Sequence, residues 1–425
     1  MRDVPTVTPP REVIARTISR VLARVNAISA AGPGWTRPAY SPLESQAHAV
    51  IEDEVRALGC SVRRDAAGNL FATLPGQDRI ARPLYIGSHL DTVSQGGAYD
   101  GQAGVVGALA VLAAFRAADI IPPTDIILII TRAEESVWFP VSYAGSRAAL
   151  GRLSPEDFEA PRSDTGFSLS EHMAMEGYDS GAARALTPPA PARFLEFHIE
   201  QGPVLHDAGE PYAIVDTVRG GLRYRTAQVH GTWAHSGGAP RGSRADAVVA
   251  LAELILRMDA VWEKMLGEGH DLTVTFGKVD AASPQHAMAK VAGQAAFCLD
   301  LRSDITATLE AANAALLEQI MKIESMRPGI RFDLGVQSRS APARLSSAMA
   351  AFVAVGAAAQ GDSPRYMLSG GGHDAAAFGA AGWDSVMVFI RNWNGSHCPE
   401  EAMDEEDLAR AVAAVFLAIV QEGAG

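Results

Sequence analysis

The sequence predicts an α/β protein, and two observations carry this prediction. The aliphatic runs PLYIGSHL and DIILIITRAEE end in polar residues and are separated by the helical segment GVVGALAVLAAFRAAD. This strand–helix–strand order is typical of a parallel sheet, whose active-site groups lie at the carboxyl ends of the strands. Between about Val218 and Gln337 the predicted order changes to βαββαβ, which indicates a small one-sided sheet with two helices.

The remaining elements fall on both sides of this βαββαβ segment. Helical spacing predicts helices from about Pro10 to Ala30 and from Glu44 to Leu58, ahead of the strand-like SVRRDAAGNLFATL. Later, FLEFHIEQGPVL resumes the core, and helix AMAAFVAVGAAAQ, strand SVMVFI and a helix from Glu405 complete it. We therefore predict a main domain of residues 1–217 and 338–425, with a mixed, largely parallel sheet flanked by helices.

Residues 218–337 are predicted to form the inserted domain. Its strand candidates are RYRTAQVHG, DLTVTFGKVD, AAFCLDLRSD and IRFDLGVQ. Its helices are expected near Arg244 to Lys264 and near Ile305 to Ser325. The main domain is interrupted in sequence by this segment but should be continuous in space.

Composition restricts the class of protein. A chain of 425 residues with 48% hydrophobic content can bury a large core, and its formal net charge of -13 argues against a nucleic-acid partner. Three scattered cysteines suggest neither a disulfide framework nor a zinc knuckle, which favours a reducing compartment. The first residues lack a signal-peptide core, and VVGALAVLAAF is too short to span a bilayer. We expect a cytoplasmic protein without a membrane partner.

The segment YIGSHLDTVSQGGAYDGQAGVV carries the clearest chemical signal. It places His89, Asp91 and Asp100 around the end of a strand and the start of a helix. Neutral imidazole and carboxylate oxygens suit zinc, manganese or cobalt, and one carboxylate can bridge two ions. Each residue alone is equally compatible with an ordinary loop. The pattern predicts a hydrolytic metal site if other segments of the chain supply further ligands.

Three other segments supply those ligands. Glu134 and Glu135 end the run IILIITRAEE, so one acid can bind metal while the other handles a proton, although paired acids also occur as solvated turns. His198 ends the strand in FLEFHIEQGP, and His397 follows strand SVMVFI in a loop bounded by Gly and Pro. A structural role is the alternative for His198. The predicted ligand set has five members, enough for two metals if the aspartate bridges: His89, Asp100, Glu135, His198 and His397.

Two more histidines are candidates for substrate contact. His373 follows three glycines in SGGGHDA, where glycine allows close backbone approach, although such a run is also a flexible loop. His235, in GTWAHSGGAP of the inserted domain, has a surface histidine as its alternative. No Gly-Lys-Ser/Thr phosphate loop is present, and the absence of G-x-S-x-G argues against serine-hydrolase catalysis.

Taken together and in order, the motifs resemble those of the hydantoinase/carbamoylase branch of the M20 metallopeptidase superfamily. This branch includes N-carbamoyl-L-amino-acid hydrolases, β-ureidopropionases and allantoate amidohydrolases. The resemblance runs from about residue 40 to the end of the chain, and HIEQGP is its most specific motif because it marks this branch. The matching motifs are GSHLDTV, YDGQAGVVGAL, AEES, FHIEQGPVL, AHSGGAPRGSRADA, FCLDLRSD, SGGGHDA and GSHCPEE.

The resemblance implies a binuclear centre of divalent ions (Zn, Mn, Co or Ni) and an inserted lid that forms a homodimer. Asp100 would bridge the ions, with His89, His198, Glu135 and His397 as the other ligands. These ligand types do not select one metal, because imidazole and carboxylate accept all four.

The resemblance also implies roles for residues outside the ligand set. Asp91 would hold His89 in its metal-binding tautomer, and Glu134 would act as general base toward water. His235 would stabilise the oxyanion, reaching in from the partner subunit. Gln201 and Arg302 would position the substrate, the latter through its bidentate fork.

The expected activity is hydrolysis of a linear amide or ureido C–N bond. An N-carbamoyl-L-amino acid, cleaved to amino acid, carbon dioxide and ammonia, is the first expectation. This chain differs from the family pattern at Ser136, at Ala289 and Ala292, and at the lid entry GGLRYR, which lacks the usual Gln. These differences affect substrate recognition. An N-acyl or aryl-conjugated amino acid, or allantoate, therefore remains an alternative, as does a non-catalytic binding protein.

Overall fold

The computed structural model describes residues 7–282 and 284–423. The chain divides into two compact units, unit 1 (Met1–Asp216 with Arg344–Gly425) and unit 2 (Thr217–Ala343). The prediction that no signal peptide is present falls partly on residues 1–6, which lie outside the described residues.

Eighteen strands are described across residues 7–282 and 284–423. In chain order they are β1 Ser61–Arg64, β2 Leu70–Leu74, β3 Leu84–His89, β4 Ile126–Thr131, β5 Arg193–Ile199, β6 Tyr212–Val218, β7 Gly220–His230, β8 Ala234–His235, β9 Thr273–Asp280, β10 Lys290–Val291, β11 Gln294–Ser303, β12 Arg331–Asp333, β13 Gln337–Ser340, β14 Ala343–Arg344, β15 Tyr366–Ser369, β16 Asp384–Ile390, β17 Asn392–Trp393 and β18 Ala402–Met403.

The same part of the chain contains thirteen α-helices. They are α1 Arg11–Asn26, α2 Pro42–Ala57, α3 Gln102–Ala117, α4 Ala144–Ala149, α5 Pro155–Phe158, α6 Leu169–Met175, α7 Ser180–Arg184, α8 Val204–Ala208, α9 Ala247–Gly267, α10 Thr306–Met326, α11 Ser347–Ala359, α12 Asp374–Ala380 and α13 Glu405–Glu422.

Unit 1 is built on a mixed sheet of nine strands in the order β1-β2-β4-β3-β5-β16-β6-β14, with β15 beside β6. The four central strands, β4, β3, β5 and β16, run parallel to one another. They are buried almost along their whole length, as expected for aliphatic strands covered on both faces. The predicted α/β class with a mixed, helix-flanked sheet is therefore confirmed.

Helix α3 lies at the centre of the hydrophobic core of unit 1. It contacts α1, α13 and the central strands, and residues Gln102 to Phe115 are all buried. Helices that bury one face only, such as α1 and α2, instead alternate buried and exposed positions at helical spacing. No helix in the described ranges is long and apolar enough to cross a membrane.

Unit 2 has an antiparallel sheet in the order β12-β7-β11-β9, with β13 also paired to β7. Alternate residues of β7 and β11 are buried with α9 and α10 in a separate core, so the sheet is covered on one face. The unit extends to Ala343, beyond the predicted boundary at residue 337. The reason is that β13 pairs with β7 and so belongs to this sheet.

A buried histidine on α2 should make the stability of the folded state decrease in acid. His48 is fully buried, neither ring nitrogen has a hydrogen-bond partner, and its pKa is well below the ordinary 6.5 because of burial and the charges of Arg132 and Arg64. The unfolded chain therefore binds a proton that the folded chain excludes. This contribution to stability is complete above about pH 6.5 and is lost as pH falls below it.

His48→Leu should reduce this acid sensitivity, because leucine has a similar volume and does not titrate. The free energy of unfolding, measured by urea at about pH 7.5 and about pH 5.5, should fall less in the variant than in the parent. Equal losses in the two proteins would show that His48 does not contribute.

Candidate metal and catalytic site

The first part of the site is the loop between β3 and α3. His89 is the last residue of β3, and its Nδ1 lies 3.0 Å from the backbone oxygen and 3.4 Å from Oδ1 of Asp91. With Nδ1 engaged, Nε2 faces Asp100 Oδ1 at 3.6 Å. Gly101 has a φ of +65°, and a Cβ there would lie 2.4 Å from the His89 ring, so glycine is required for this close approach.

Asp100 lies between two groups of possible ligands. Its Oδ1 is 3.4 Å from His198 Nε2, on the same side as His89, while its Oδ2 is 3.2 Å from His397 Nε2. His397 Nε2 is in turn 3.5 Å from Glu135 Oε1. The two oxygens of one carboxylate therefore face two separate ligand sets, which is the arrangement needed for a bridge between two ions.

The acidic pair follows β4 in a sharp turn. β4 ends at Thr131, and Ala133 has a φ of +51°, so the extended strand does not continue through the two acids. The carboxylate of Asp91 accepts the backbone N–H groups of Glu134 and Glu135 at 3.1 Å each. Asp91 thus contacts both the His89 ring and the turn that carries the two acids.

Burial and close charges shift the protonation of the cluster. Burial opposes the charge of Asp100, but hydrogen bonds with His198 and His397 hold its pKa well below the usual range. Burial raises the pKa of Glu135 to about 7 and raises the pKa of Glu134 well above its ordinary value. Carboxyl groups with such raised pKa values are typical of functional sites, where one of them can exchange a proton near neutral pH.

The donor set fits divalent ions. His89, Asp100 and His198 offer ligand atoms within 4.8 Å of one another, and so do Asp100, Glu135 and His397. Glu135 Oε1 is buried without a hydrogen-bond partner, which is costly unless a cation compensates it. Glu134 belongs to neither group, so its carboxylate stays available for proton transfer.

Two predicted substrate contacts lie beside this cluster. Gln201 Nε2 donates to Asp100 Oδ2 at 2.7 Å, so its amide orients the central carboxylate. His373 is buried, with Nε2 2.9 Å from Ser369 Oγ and its ring centroid 4.3 Å from that of His198. The glycines before it allow close packing: a Cβ at Gly372 would lie 1.6 Å from the Tyr143 hydroxyl oxygen.

Two buried acids near the cluster were not predicted from the sequence. Glu401 accepts the N–H groups of Tyr99 and Asp100 through Oε1, at 2.9 and 3.2 Å, and the Ser396 hydroxyl through Oε2. Glu196, on β5, accepts Ser88 Oγ at 2.7 Å. The available signal was an acid within an apolar strand, two residues before His198 and hence on its face.

The two predicted residues of unit 2 have clear local contacts. His235 is exposed, and its Nδ1 accepts the N–H groups of Gly237 and Gly238 at 3.2 and 3.0 Å. Because a backbone N–H can only donate, the neutral ring carries its proton on Nε2. Arg302 donates through Nε to Asp300 Oδ2 at 2.9 Å.

Metal-dependent hydrolases that activate water are a class of protein that uses such an arrangement, in which a carboxylate lies between two groups of possible ligands. Residues 85–421 match the model of Peptidase family M20/M25/M40, and the chain belongs to this family. Its resemblance to the hydantoinase/carbamoylase branch is confirmed by the relatives.

Two curated relatives and one solved structure show this similarity. Allantoate amidohydrolase of Bacillus subtilis (strain 168) is 30% identical over 392 residues, covering 91% of this chain and 92% of that protein. N-carbamoyl-L-amino-acid amidohydrolase of Paenarthrobacter aurescens is 30% identical over 408 residues, covering 95% and 96%. An amidase of the hydantoinase/carbamoylase family from Burkholderia multivorans has a TM-score of 0.84 at 25% identity, covering 97% and 98%. The chain is an amidohydrolase of linear C–N bonds other than peptide bonds.

Proposed function

We propose that this enzyme hydrolyses an N-carbamoyl-L-amino acid to the amino acid, carbon dioxide and ammonia, using two divalent ions. The observation that supports the two ions is the placement of Asp100, whose two oxygens face separate ligand sets. The proposed substrate is that of the relative from Paenarthrobacter aurescens, an N-carbamoyl-L-amino-acid amidohydrolase. Zinc, manganese, cobalt and nickel all suit these imidazole and carboxylate donors. Allantoate is the second candidate, because the relative from Bacillus subtilis is an allantoate amidohydrolase.

The chemistry divides between the ions and the side chains. When bound, the ions would polarise the ureido carbonyl and lower the pKa of water. Glu134 takes the proton of the attacking water and returns it to the leaving amine. Its buried carboxylate, with Oε2 3.9 Å from His89 Nε2, lies beside the ligands without being one of them in this proposal. Asp91 keeps His89 and Glu134 aligned through its two contacts.

His235 is proposed to stabilise the oxyanion. Its Nδ1 is occupied by two backbone donors, so Nε2–H is the group that can donate to a developing negative charge. Asp300 pairs with the guanidinium of Arg302, and a substrate carboxylate would compete with Asp300 for this guanidinium. We assign His373 and Gln201 to supporting positions beside the substrate.

A homodimer formed through unit 2 is part of the proposal. Val248, Val249 and Leu256 expose 40%, 45% and 70% of their surface on α9, and β9 is the outer strand of the sheet. An apolar helix face beside an open strand edge is a surface suited to pairing with a second copy. We also propose a cytoplasmic location, since the three cysteines do not pair with one another.

Cross-subunit action of His235 can be tested with mixed dimers. His235→Ala should lower kcat by roughly 10²- to 10³-fold, because one oxyanion donor is lost, while metal content stays at the parent level. If His235 acts on the partner's site, heterodimers of His235→Ala and Glu134→Gln subunits should regain activity, since one site then has both residues. Mixed samples that stay as inactive as the two homodimers would refute action across the dimer.

A substrate panel tests the activity itself. Metal-stripped protein, reloaded with each of the four metals, should release ammonia from N-carbamoyl-L-amino acids with the highest kcat/KM. N-carbamoyl-D-amino acids provide the stereochemical control, and β-ureidopropionate, allantoate and N-acyl amino acids provide the alternatives. A higher kcat/KM for allantoate or an N-acyl amino acid would replace the proposed substrate.

A further inference from the structure

The turn that carries the two acids is held by side chains from distant parts of the chain. The four successive backbone N–H groups from Arg132 to Glu135 each donate to a side-chain oxygen. The acceptors are, in order, Asn69 Oδ1, Glu44 Oε1, Asp91 Oδ1 and Asp91 Oδ2, at 3.0, 3.1, 3.1 and 3.1 Å. All four N–H groups of this segment, which lies beyond the end of β4, are therefore paired, as the N–H groups of a strand are within a sheet.

Glu44, which accepts the Ala133 N–H, has further contacts through its second oxygen. It lies on α2, is fully buried, and its Oε2 accepts the Tyr40 N–H at 2.7 Å and Arg132 Nη1 at 2.8 Å. Arg132 is also buried and donates to Gly68 O at 3.2 Å and to Tyr178 Oη at 2.8 Å. Burial raises the pKa of Glu44 to about 7, and the charge of Arg132 offsets only part of this effect. The Oε1 atom of Glu44 accepts the N–H of Ala133.

Ala133 is the residue that needs this support. Its φ of +51° lies in the left-handed region, which an L-residue with a Cβ avoids, and its side chain is only 2% exposed. The left-handed residue changes the backbone course immediately before Glu134 and Glu135. If Ala133 relaxed to a common backbone conformation, both carboxylates would be displaced from the His89 and His397 rings.

We propose that Glu44 is a positioning residue for the reaction, because its carboxylate holds Ala133 in the left-handed conformation that directs Glu134 and Glu135 into the site. The inference rests on the proposed function of Glu134 as general base. Glu44 does not touch the reacting atoms; it acts through the backbone. Asp91 restrains the two following N–H groups, so loss of Glu44 alone loosens the turn without releasing it.

Steady-state kinetics of Glu44→Gln test the proposal. The amide keeps the shape of the side chain but weakens both the Ala133 contact and the Arg132 pair. We expect kcat to fall by roughly 10- to 100-fold, as small misplacements of catalytic groups do, with KM within about twofold of the parent. Glu44→Asp, which keeps the charge for Arg132 but withdraws the oxygen from Ala133, should also lower kcat and serves if Glu44→Gln does not fold.

A second-site change separates positioning from a general structural role. Glycine enters the left-handed region freely, so Ala133→Gly should raise kcat of Glu44→Gln by about fivefold, and likewise that of Glu44→Asp. Glu54→Gln is the matched control, because it removes an ion-paired carboxylate from the same helix, where Glu54 binds Arg20 and Arg24. That control should keep the kcat of the parent.

The outcomes distinguish this inference from the proposed function. If the parent hydrolyses a ureido substrate and both Glu44 variants keep at least half its kcat, the positioning role is wrong and the proposed function stands. A lower kcat explained entirely by lost folded protein or lost metal, without rescue by Ala133→Gly, also overturns it. A parent inactive on every ureido substrate would instead overturn the proposed function.

Discussion

Glu134→Gln is expected to lower kcat by roughly 10²- to 10⁴-fold while the protein keeps its metal ions. Glutamine has nearly the shape of glutamate but does not accept a proton, so the attacking water would lose its base. The metal should stay because Glu134 belongs to neither group of ligand atoms around Asp100. Ammonia release under saturating substrate and metal analysis by mass spectrometry measure the two effects.

The neighbouring acid provides the matched comparison. Glu135→Gln changes the adjacent position in the same way, but Glu135 Oε1 is the buried oxygen without a hydrogen-bond partner, 3.5 Å from His397 Nε2. This variant should therefore fail to bind the ion for which Glu135 and His397 are the proposed ligands. Equal metal loss in both variants, or near-parent activity in Glu134→Gln, would contradict the assignment of base and ligand.

Asp100→Asn is expected to disrupt both metal positions. An amide presents one oxygen and one NH2 group, so one of the two ligand sets would face a donor that cannot bind a cation. Changes around metal ligands alone cost about 10- to 100-fold in affinity, and loss of the shared ligand should cost at least about 100-fold. Metal titration of the stripped variant, followed by calorimetry, measures this loss.

The control for Asp100→Asn is a surface aspartate. Asp53 is exposed on α2, away from the ligands, and Asp53→Asn makes the same chemical change there. It should bind metal and turn over substrate as the parent does. If Asp100→Asn still bound two ions with parent affinity, the carboxylate would not be the bridge.

The sheet and the order of site segments could be predicted from the sequence because both depend on local patterns. Central strands such as β3 and β4 are aliphatic runs, and their polar ends show where side chains gather. Parallel pairing of these strands then brings His89 and the acidic turn to the same sheet edge. The exact end of β4 was not predictable, because the left-handed conformation of Ala133 depends on distant acceptors.

Buried polar residues on helices were the part that sequence patterns missed. Glu44 and His48 lie on the buried face of α2, at helical spacing with Ile51, but polar side chains of these types are usually solvated. The partner of buried Glu44 is Arg132, which is far away in sequence. The contact between Arg302 and Asp300, by contrast, agrees with strand spacing, because residues two apart on β11 share a face.

The central proposal is that Asp100 bridges two ions and that Glu134 is the base for the attacking water. Its most direct test is ammonia release from an N-carbamoyl-L-amino acid as metal is added stepwise to stripped protein. The account predicts that activity rises until two equivalents per chain are bound, and that Glu134→Gln binds the same two equivalents without comparable turnover. Full activity at one equivalent, or ready turnover by Glu134→Gln, would contradict it.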